Sequence, residues 1–255
     1  MVKIGGAVFY GGDTTIEDVI ALQKQGKSLV IVHGGGGSVT EWLERREIAT
    51  RFVHGERVTD MATLEIATAV LAGLVNKEIV AAVNNAGGKA VGISGVDGAL
   101  IQSRMKDREL GYTGMVVKVD TALLEILLQA GYISVVSSVS LHSFDRPNGA
   151  PQILNINADL VAGEIAAAIG AERLIFLTDV AGIHDQSGKL LSELSANEAE
   201  ALIISGVASR GMVPKIRACL RALAITSAVS IIDGRQLHAL TKALEGKGGG
   251  TTINM

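Results

Sequence analysis

The sequence predicts an α/β fold in which parallel strands lie between helices packed on both faces. Three observations carry that prediction. Short aliphatic, β-branched runs alternate with longer segments of helical period along all 255 residues. Hydrophobic residues make up 48% of the chain but aromatic ones only 3%, so the interior is built of Ala, Val, Leu and Ile, which suits doubly covered parallel sheets. Glycines follow directly on strand-like runs, as in VKIGG (2–6) and LVIVHGGGG (29–37), where open α/β sheets place their ligands. The length suits one large α/β domain or two small ones.

Taken in order, MVKI (1–4) is strand-like, and TTIEDVIALQKQ (14–25) carries Ile16, Val19, Ile20 and Leu22 at helical spacing. SLVIV (28–32) completes a βαβ opening. SVTEWLERREIA (38–49) is expected to be a helix capped by Ser38, with Glu41 at capping-box spacing. A long helical stretch is expected from about Thr59 to Asn85, interrupted near Gly73 and stopped by the run Asn84 to Gly88. KAVGIS (89–94) reads as a strand, 99–119 as β-hairpin material, DTALLEILLQAGY (120–132) as a helix ended by Gly131, and ISVVSSVS (133–140) as a buried strand. SFDRPNGAPQ (143–152) holds two of the three prolines beside Asn148-Gly149 and is the natural boundary between two halves.

The second half repeats the alternation: helix ADLVAGEIAAAIG (158–170), strand RLIFLTDV (173–180) and hairpin turn DQSGK (185–189). Helices SANEAEALIISG (195–206) and PKIRACLRALA (214–224) follow, then strand AVSIID (228–233), a helix from Gln236 to Leu244, and a Gly-rich turn into TTINM (251–255). No internal repeat or low-complexity segment is evident.

The net charge is -3 and the basic residues are scattered, which excludes the dense Lys/Arg stripe that nucleic acid selects. Cys219 is the only cysteine, so neither an intrachain disulfide nor a multi-thiolate metal site is open to the chain. The N-terminus lacks signal-peptide character, and no apolar run is read as a membrane span. The expectation is a soluble cytoplasmic protein with no nucleic-acid or membrane partner.

Glycines between a strand and a helix let backbone N–H groups point at an anion, and the four in HGGGG exceed what a tight turn needs. The Walker spacing is absent: QKQGKS (23–28) lacks the leading glycine and precedes a strand. G-x-G-x-x-G is absent too, so a nucleotide site here is of another design. Lys3, beside a glycine pair at a strand's C-terminal end, is a candidate phosphate ligand. LNINAD (154–159) admits two readings, a helix cap or a polar segment that holds substrate and orients a cation. SRGMVPKI (209–216) sets a glycine and a lysine at a helix start with Pro214 in the first turn, and TDVAGI (178–183) is a second strand-to-glycine turn. The five histidines have no metal-ligand spacing.

Together these segments resemble the amino acid kinase family, in its branch that phosphorylates the γ-carboxylate of N-acetyl-L-glutamate in arginine biosynthesis. VKIGG, VIVHGGG, ERVTD, LAGLVNKEIV, GGKAVGISGVDG, LGYTG, LNINAD, LIFLTDVAGI, GMVPK, IIDGR and GTTI stand in the family's order. The resemblance implies a three-layer αβα sandwich around a mainly parallel eight-stranded open sheet. It also implies an amino-acid-substrate and dimerisation half at 1–153 and an ATP half at 154–255. By the same resemblance Lys3 and Lys215 stabilise the transferring phosphoryl group and Asp159 orients them. Gly35, Gly36, Arg57 and Asn155 hold the substrate, with Arg57 on the α-carboxylate; Gly5, Gly6, Asp179, Gly182 and Gly211 lie along the phosphates and nucleotide.

A γ-carboxylate of pKa about 4.3 is ionised at neutral pH, so the implied chemistry needs no general base. It needs fixed positive potential where two anions meet, which two lysines, glycine N–H groups and Mg2+ carried by ATP would supply. No carboxylate cluster for a metal is evident. The chain begins two residues before Lys3, so the expectation is an arginine-insensitive homodimer rather than a hexamer interlaced by N-terminal helices. The rival readings are a sibling kinase acting on another amino acid, such as a carrier-linked aminoadipate, and a non-catalytic regulatory domain. Joint retention of Lys3, Asp159 and Lys215 argues against the latter.

Overall fold

A computed structural model describes residues 1–6, 14–53, 55–143, 146–208 and 211–255. The fifteen strands among them are β1 (Val2–Ile4), β2 (Val30–His33), β3 (Phe52–Val53), β4 (Glu56–Arg57), β5 (Ala90–Gly95), β6 (Ile101–Met105), β7 (Gly114–Val119) and β8 (Ile133–His142). They continue with β9 (Ile153–Asn155), β10 (Arg173–Thr178), β11 (Ile183–His184), β12 (Leu190–Leu191), β13 (Glu193–Ser195), β14 (Ala228–Asp233) and β15 (Thr251–Asn254).

Eleven of these form one sheet, in the order β13-β15-β14-β10-β1-β2-β8-β6-β7, with β5 and β9 also paired to β8. The pairing is parallel except at β6–β7, β8–β9 and β14–β15. The strand count therefore exceeds the eight expected. The long strand β8 takes β2 and β5 along its first half and β6 and β9 near its end, so short strands join the sheet. β1 lies at the centre, between β2 of the first half and β10 of the second. The chain winds outward from β1 to one side and then to the other, which opens a crevice at the carboxyl ends of these strands.

Strand alternation divides the core into two layers. Ile31, Ile175 and Leu177 face one side with Val19, Leu43, Leu71 and Ile79. Val30, Val32, Leu174 and Phe176 face the other with Val161, Ile165, Ile216 and Cys219. Val2 and Ile4 belong to the first layer, so Lys3 between them points to the second, beside Val32 and Phe176.

Three local expectations need correction. The helix expected to start at Ser38 spans Gly36–Glu44, and Gly35 precedes it at φ 148° with no side-chain cap. Starting two residues early places Ser38 inside the first turn, out of capping position. The last helix begins at Ala239 rather than Gln236, after His238 in the left-handed region (φ 54°). The helical run Met61–Asn85 is long and apolar enough by length and composition to cross a membrane, contrary to the expectation. Its Ile66, Val70, Leu71, Val75, Ile79 and Val83 are buried in the first core layer, and Leu64 is buried as well. The interruption expected near Gly73 is a π-helical segment, Ala69–Val75.

The 99–119 hairpin is β6–β7, and DQSGK turns β11 into β12. The dividing loop at 143–152 precedes β9; its Phe144 and Asp145 lie outside the described residues, as do His54, Ser209 and Arg210.

Candidate active site

Two helices bring the acid and the second lysine to Lys3. Ala158–Ala168 starts at Asn157, whose Oδ1 accepts from the N–H groups of Asp159 (2.8 Å) and Leu160 (3.4 Å). Asn157 thus takes the capping role that LNINAD suggested, and this frees the Asp159 side chain for other partners. Met212–Leu223 begins after Gly211, with Pro214 and Lys215 in its first turn. A Cβ built on Gly163 would lie 2.6 Å from Ala218 O and 2.9 Å from its Cα, so the two helices cross backbone to backbone at that point. Gly163 is four residues beyond Asp159 and Ala218 three beyond Lys215, hence on the same helix faces. The close crossing sets the lysine on the acid.

The result is a buried cationic pair about one carboxylate. Lys3 Nζ stands 2.6 Å from Asp159 Oδ1, and Lys215 Nζ donates to Oδ2 at 2.9 Å. Burial works to raise the Asp159 carboxyl, but the two ammonium groups outweigh it and hold the pKa below the ordinary carboxylate range. Asp159 is therefore charged, and the trio has a net positive charge.

The glycine turn lies alongside. Gly34 N–H donates to Ile4 O at 2.9 Å, which ties the end of β2 to β1. At Gly35 the positive φ excludes other residues, and a Cβ there would lie 2.8 Å from Leu71 Cδ2 and 3.3 Å from Val75 Cγ2, both on the π-helical segment. Gly6 packs against Gly35, its Cβ position 3.4 Å from Gly35 Cα. The donor role expected of Gly5 is not open, because its N–H is committed to Leu177 O at 3.0 Å.

A cavity of about 210 Å³ gathers Lys3, Gly35, Gly36, Arg57, Asn155 and Asp159. Arg57 Nη2 donates to Gly36 O and Thr40 Oγ1, both at 2.8 Å, and the guanidinium lies over the Phe52 ring at 4.8 Å. Burial lowers its pKa. Asn155 Nδ2 donates to Thr59 Oγ1 at 3.2 Å, and Thr113 Oγ1 donates to Arg57 O at 2.8 Å, so β4, β9 and the residue before β7 are tied together around the cavity.

The nucleotide residues read from the sequence stand elsewhere, around the carboxyl end of β10 and the start of helix Met212–Leu223. Asp179 is exposed just beyond β10. Gly182, at φ 150°, is packed against Thr251, whose Oγ1 accepts from Ile183 N–H at 2.8 Å. Gly211 precedes the lysine helix.

Sequence reading missed a buried relay behind the turn. His33 Nδ1 lies 2.7 Å from Gly34 O and Nε2 lies 3.2 Å from Asn76 Nδ2, so the ring is neutral with its proton on Nδ1. Asn76 Nδ2 also donates to Val135 O, and Lys77 Nζ donates to Asn76 Oδ1. Burial, with Lys3 and Lys77 nearby, lowers the His33 pKa to about 4. Asn76 and Lys77 follow directly on the π-helical segment, which no sequence periodicity marks.

A glycine turn and an arginine in one cavity, beside two lysines on one carboxylate, suit anionic substrates. The amino acid kinase family model matches residues 1–233. The chain belongs to the amino acid kinase family. An acetylglutamate kinase of Dehalococcoides mccartyi strain CBDB1 is 49% identical over 253 residues, covering 99% of this chain and 93% of that protein. One from Thermosynechococcus vestitus is 47% identical over 248 residues, with coverage of 94% and 82%. The crystal structure of smu.665 from Streptococcus mutans UA159 superposes with a TM-score of 0.85 at 26% identity, over 99% of this chain and 97% of that one. Family membership accounts for the α/β fold with its mostly parallel central sheet.

Proposed function

We propose that this chain transfers the γ-phosphoryl group of ATP to the γ-carboxylate of N-acetyl-L-glutamate, forming an acyl phosphate. The observation that carries the reading is the Lys3–Asp159–Lys215 cluster beside a cavity that also holds Arg57 and the glycine turn. The high identity to proteins named acetylglutamate kinase selects the acid. In this reading Arg57 takes the α-carboxylate: its Nη2 is engaged within the protein, while Nη1 makes only a 3.5 Å contact to Thr50. Asn155 contacts the same end of the substrate, and Gly35 and Gly36 approach its reacting end.

The substrate carboxylate is ionised at neutral pH and attacks without a general base. Lys3 and Lys215 face the anionic phosphoryl oxygens, and Asp159 keeps the two like charges in place beforehand, so the transition state meets a preformed field. Both Asp159 oxygens are committed to lysines, and among the described residues no group of three or more His, Cys, Asp or Glu could hold a metal ion. Mg2+ carried by the nucleotide would neutralise phosphate charge. Residues 154–255, with Asp179, Gly182 and Gly211, form the ATP half, and Gly6 borders the phosphoryl path. Residues 1–153 form the substrate and homodimer half, a reading supported by exposed Met105, Met115, Val117 and Ile126.

Incubation with MgATP and hydroxylamine is expected to give a hydroxamate from N-acetyl-L-glutamate. No hydroxamate from this acid refutes the reading; faster turnover of carrier-linked aminoadipate selects the sibling kinase. Sedimentation checks the dimer.

A further inference from the structure

His33 is a buried titratable group to which the proposed chemistry gives no part. It is 1% exposed and shares the face of β2 with Ile31, on the first-layer side of the sheet, whereas Lys3 points to the second. Its hydrogen bonds run in one direction. Lys77 Nζ donates to Asn76 Oδ1 at 2.8 Å, so the Asn76 NH2 group faces the carbonyl oxygens of Val135 (2.9 Å) and Ile93 (3.3 Å) and donates to His33 Nε2 at 3.2 Å. With Nε2 accepting, the ring proton is on Nδ1 and is donated to Gly34 O at 2.7 Å.

That last bond falls on a peptide that little else holds. The helix after the turn fixes the next two carbonyls, since Gly35 O accepts from Val39 N–H and Gly36 O from Thr40 Oγ1, both at 3.0 Å. The Gly34–Gly35 peptide precedes that helix and has no Cβ on either side to resist rotation of its plane, so His33 is what orients its carbonyl. In a planar trans peptide the following N–H points opposite to the carbonyl. With Gly34 O turned to His33, the Gly35 N–H points away from it; Lys3 Nζ lies on that other face, 3.9 Å from the Cβ position of Gly34. Both glycines line the Arg57 cavity, and the Gly35 N–H has no acceptor among the described residues.

We infer that His33 is a positioning residue: it holds the Gly34–Gly35 peptide so that the Gly35 N–H meets the oxygen charge that builds as the phosphoryl group arrives, while Asn76 and Lys77 fix the ring tautomer that does so. The inference rests on the proposed transfer to a carboxylate. The test compares kcat and KM of the wild type, His33→Leu, which keeps bulk without a donor, and His33→Asn, whose amide N–H stands in for Nδ1–H; urea unfolding checks that each is folded. His33→Leu is expected to lower kcat about ten- to a hundredfold with KM for both substrates within about threefold, because the donor matters where charge develops. His33→Asn is expected to recover kcat to within about threefold of the wild type. A folded leucine variant with kcat within about threefold of the wild type overturns the inference, as does a defect carried by KM, or an asparagine variant as slow as the leucine one. Should the leucine variant not fold, the asparagine variant decides: a kcat within about threefold of the wild type upholds the inference and a larger loss overturns it. If a sibling acid is phosphorylated and N-acetyl-L-glutamate is not, the substrate reading alone fails and the three proteins are compared on that acid; transfer to no carboxylate overturns both.

Discussion

Replacing Asp159 with Asn leaves two lysine ammonium groups facing each other without their shared counter-charge. Their side chains are 7% and 18% exposed, so water compensates little. Removing one partner of a buried ion pair costs about 3–5 kcal/mol, and the partial exposure of Lys215 points to the lower end, about 3 kcal/mol. The effect has a definite pH dependence. The folded carboxyl is held below its unfolded value of about 3.9, so its stabilisation is fully present above that value and is lost as pH falls through the folded pKa. Urea unfolding of wild type and Asp159→Asn, run in parallel from pH 7 downward, gives the difference directly. It is expected to stay constant to about pH 4 and then narrow. A difference below about 1 kcal/mol at pH 7, or one that widens on acidification, would refute the reasoning.

Two further predictions concern the supports of the site. Gly163→Ala places a methyl group 2.6 Å from Ala218 O, so the crossing must widen; a loss of about 1–3 kcal/mol in urea unfolding is expected, with a fall in kcat as Lys215 is drawn from Asp159. Unchanged stability and kcat would contradict that crossing. His33 is expected to stay neutral with its proton on Nδ1 in 15N-NMR spectra down to about pH 5. Its folded pKa lies below the unfolded 6.5, so it contributes stability above that pH that is lost as pH falls towards 4, and a midpoint near 6.5 in the folded protein would exclude the buried relay.

The sheet was legible because its strands are long aliphatic runs: ISVVSSVS, RLIFLTDV and AVSIID are β8, β10 and β14 with little adjustment. Lys3, Asp159 and Lys215 stood out through motif neighbours, and the fold brings them within ion-pair distance. What escaped depends on contacts distant in sequence. Ser38 has a capping-box pattern, but Gly35, packed under Leu71 and Val75, starts the helix before it. Strands β3 and β4 have two residues each, too short for any periodicity, so their place beside the cavity left no trace. The apolarity of Met61–Asn85 reflects a core helix whose buried face includes the wall of the glycine turn.

The central claim is that Lys215 acts on the transferring phosphoryl group and not on substrate binding or folding. The most direct measurement is single-turnover phosphoryl transfer by Lys215→Ala, beside calorimetric binding of N-acetyl-L-glutamate to the same protein. A fall of about a hundredfold or more in transfer with affinity nearly unchanged is predicted, as for loss of one preorganised charge at the transition state. Transfer at the wild-type rate, or a loss of acid binding that accounts for the whole defect, would contradict the account.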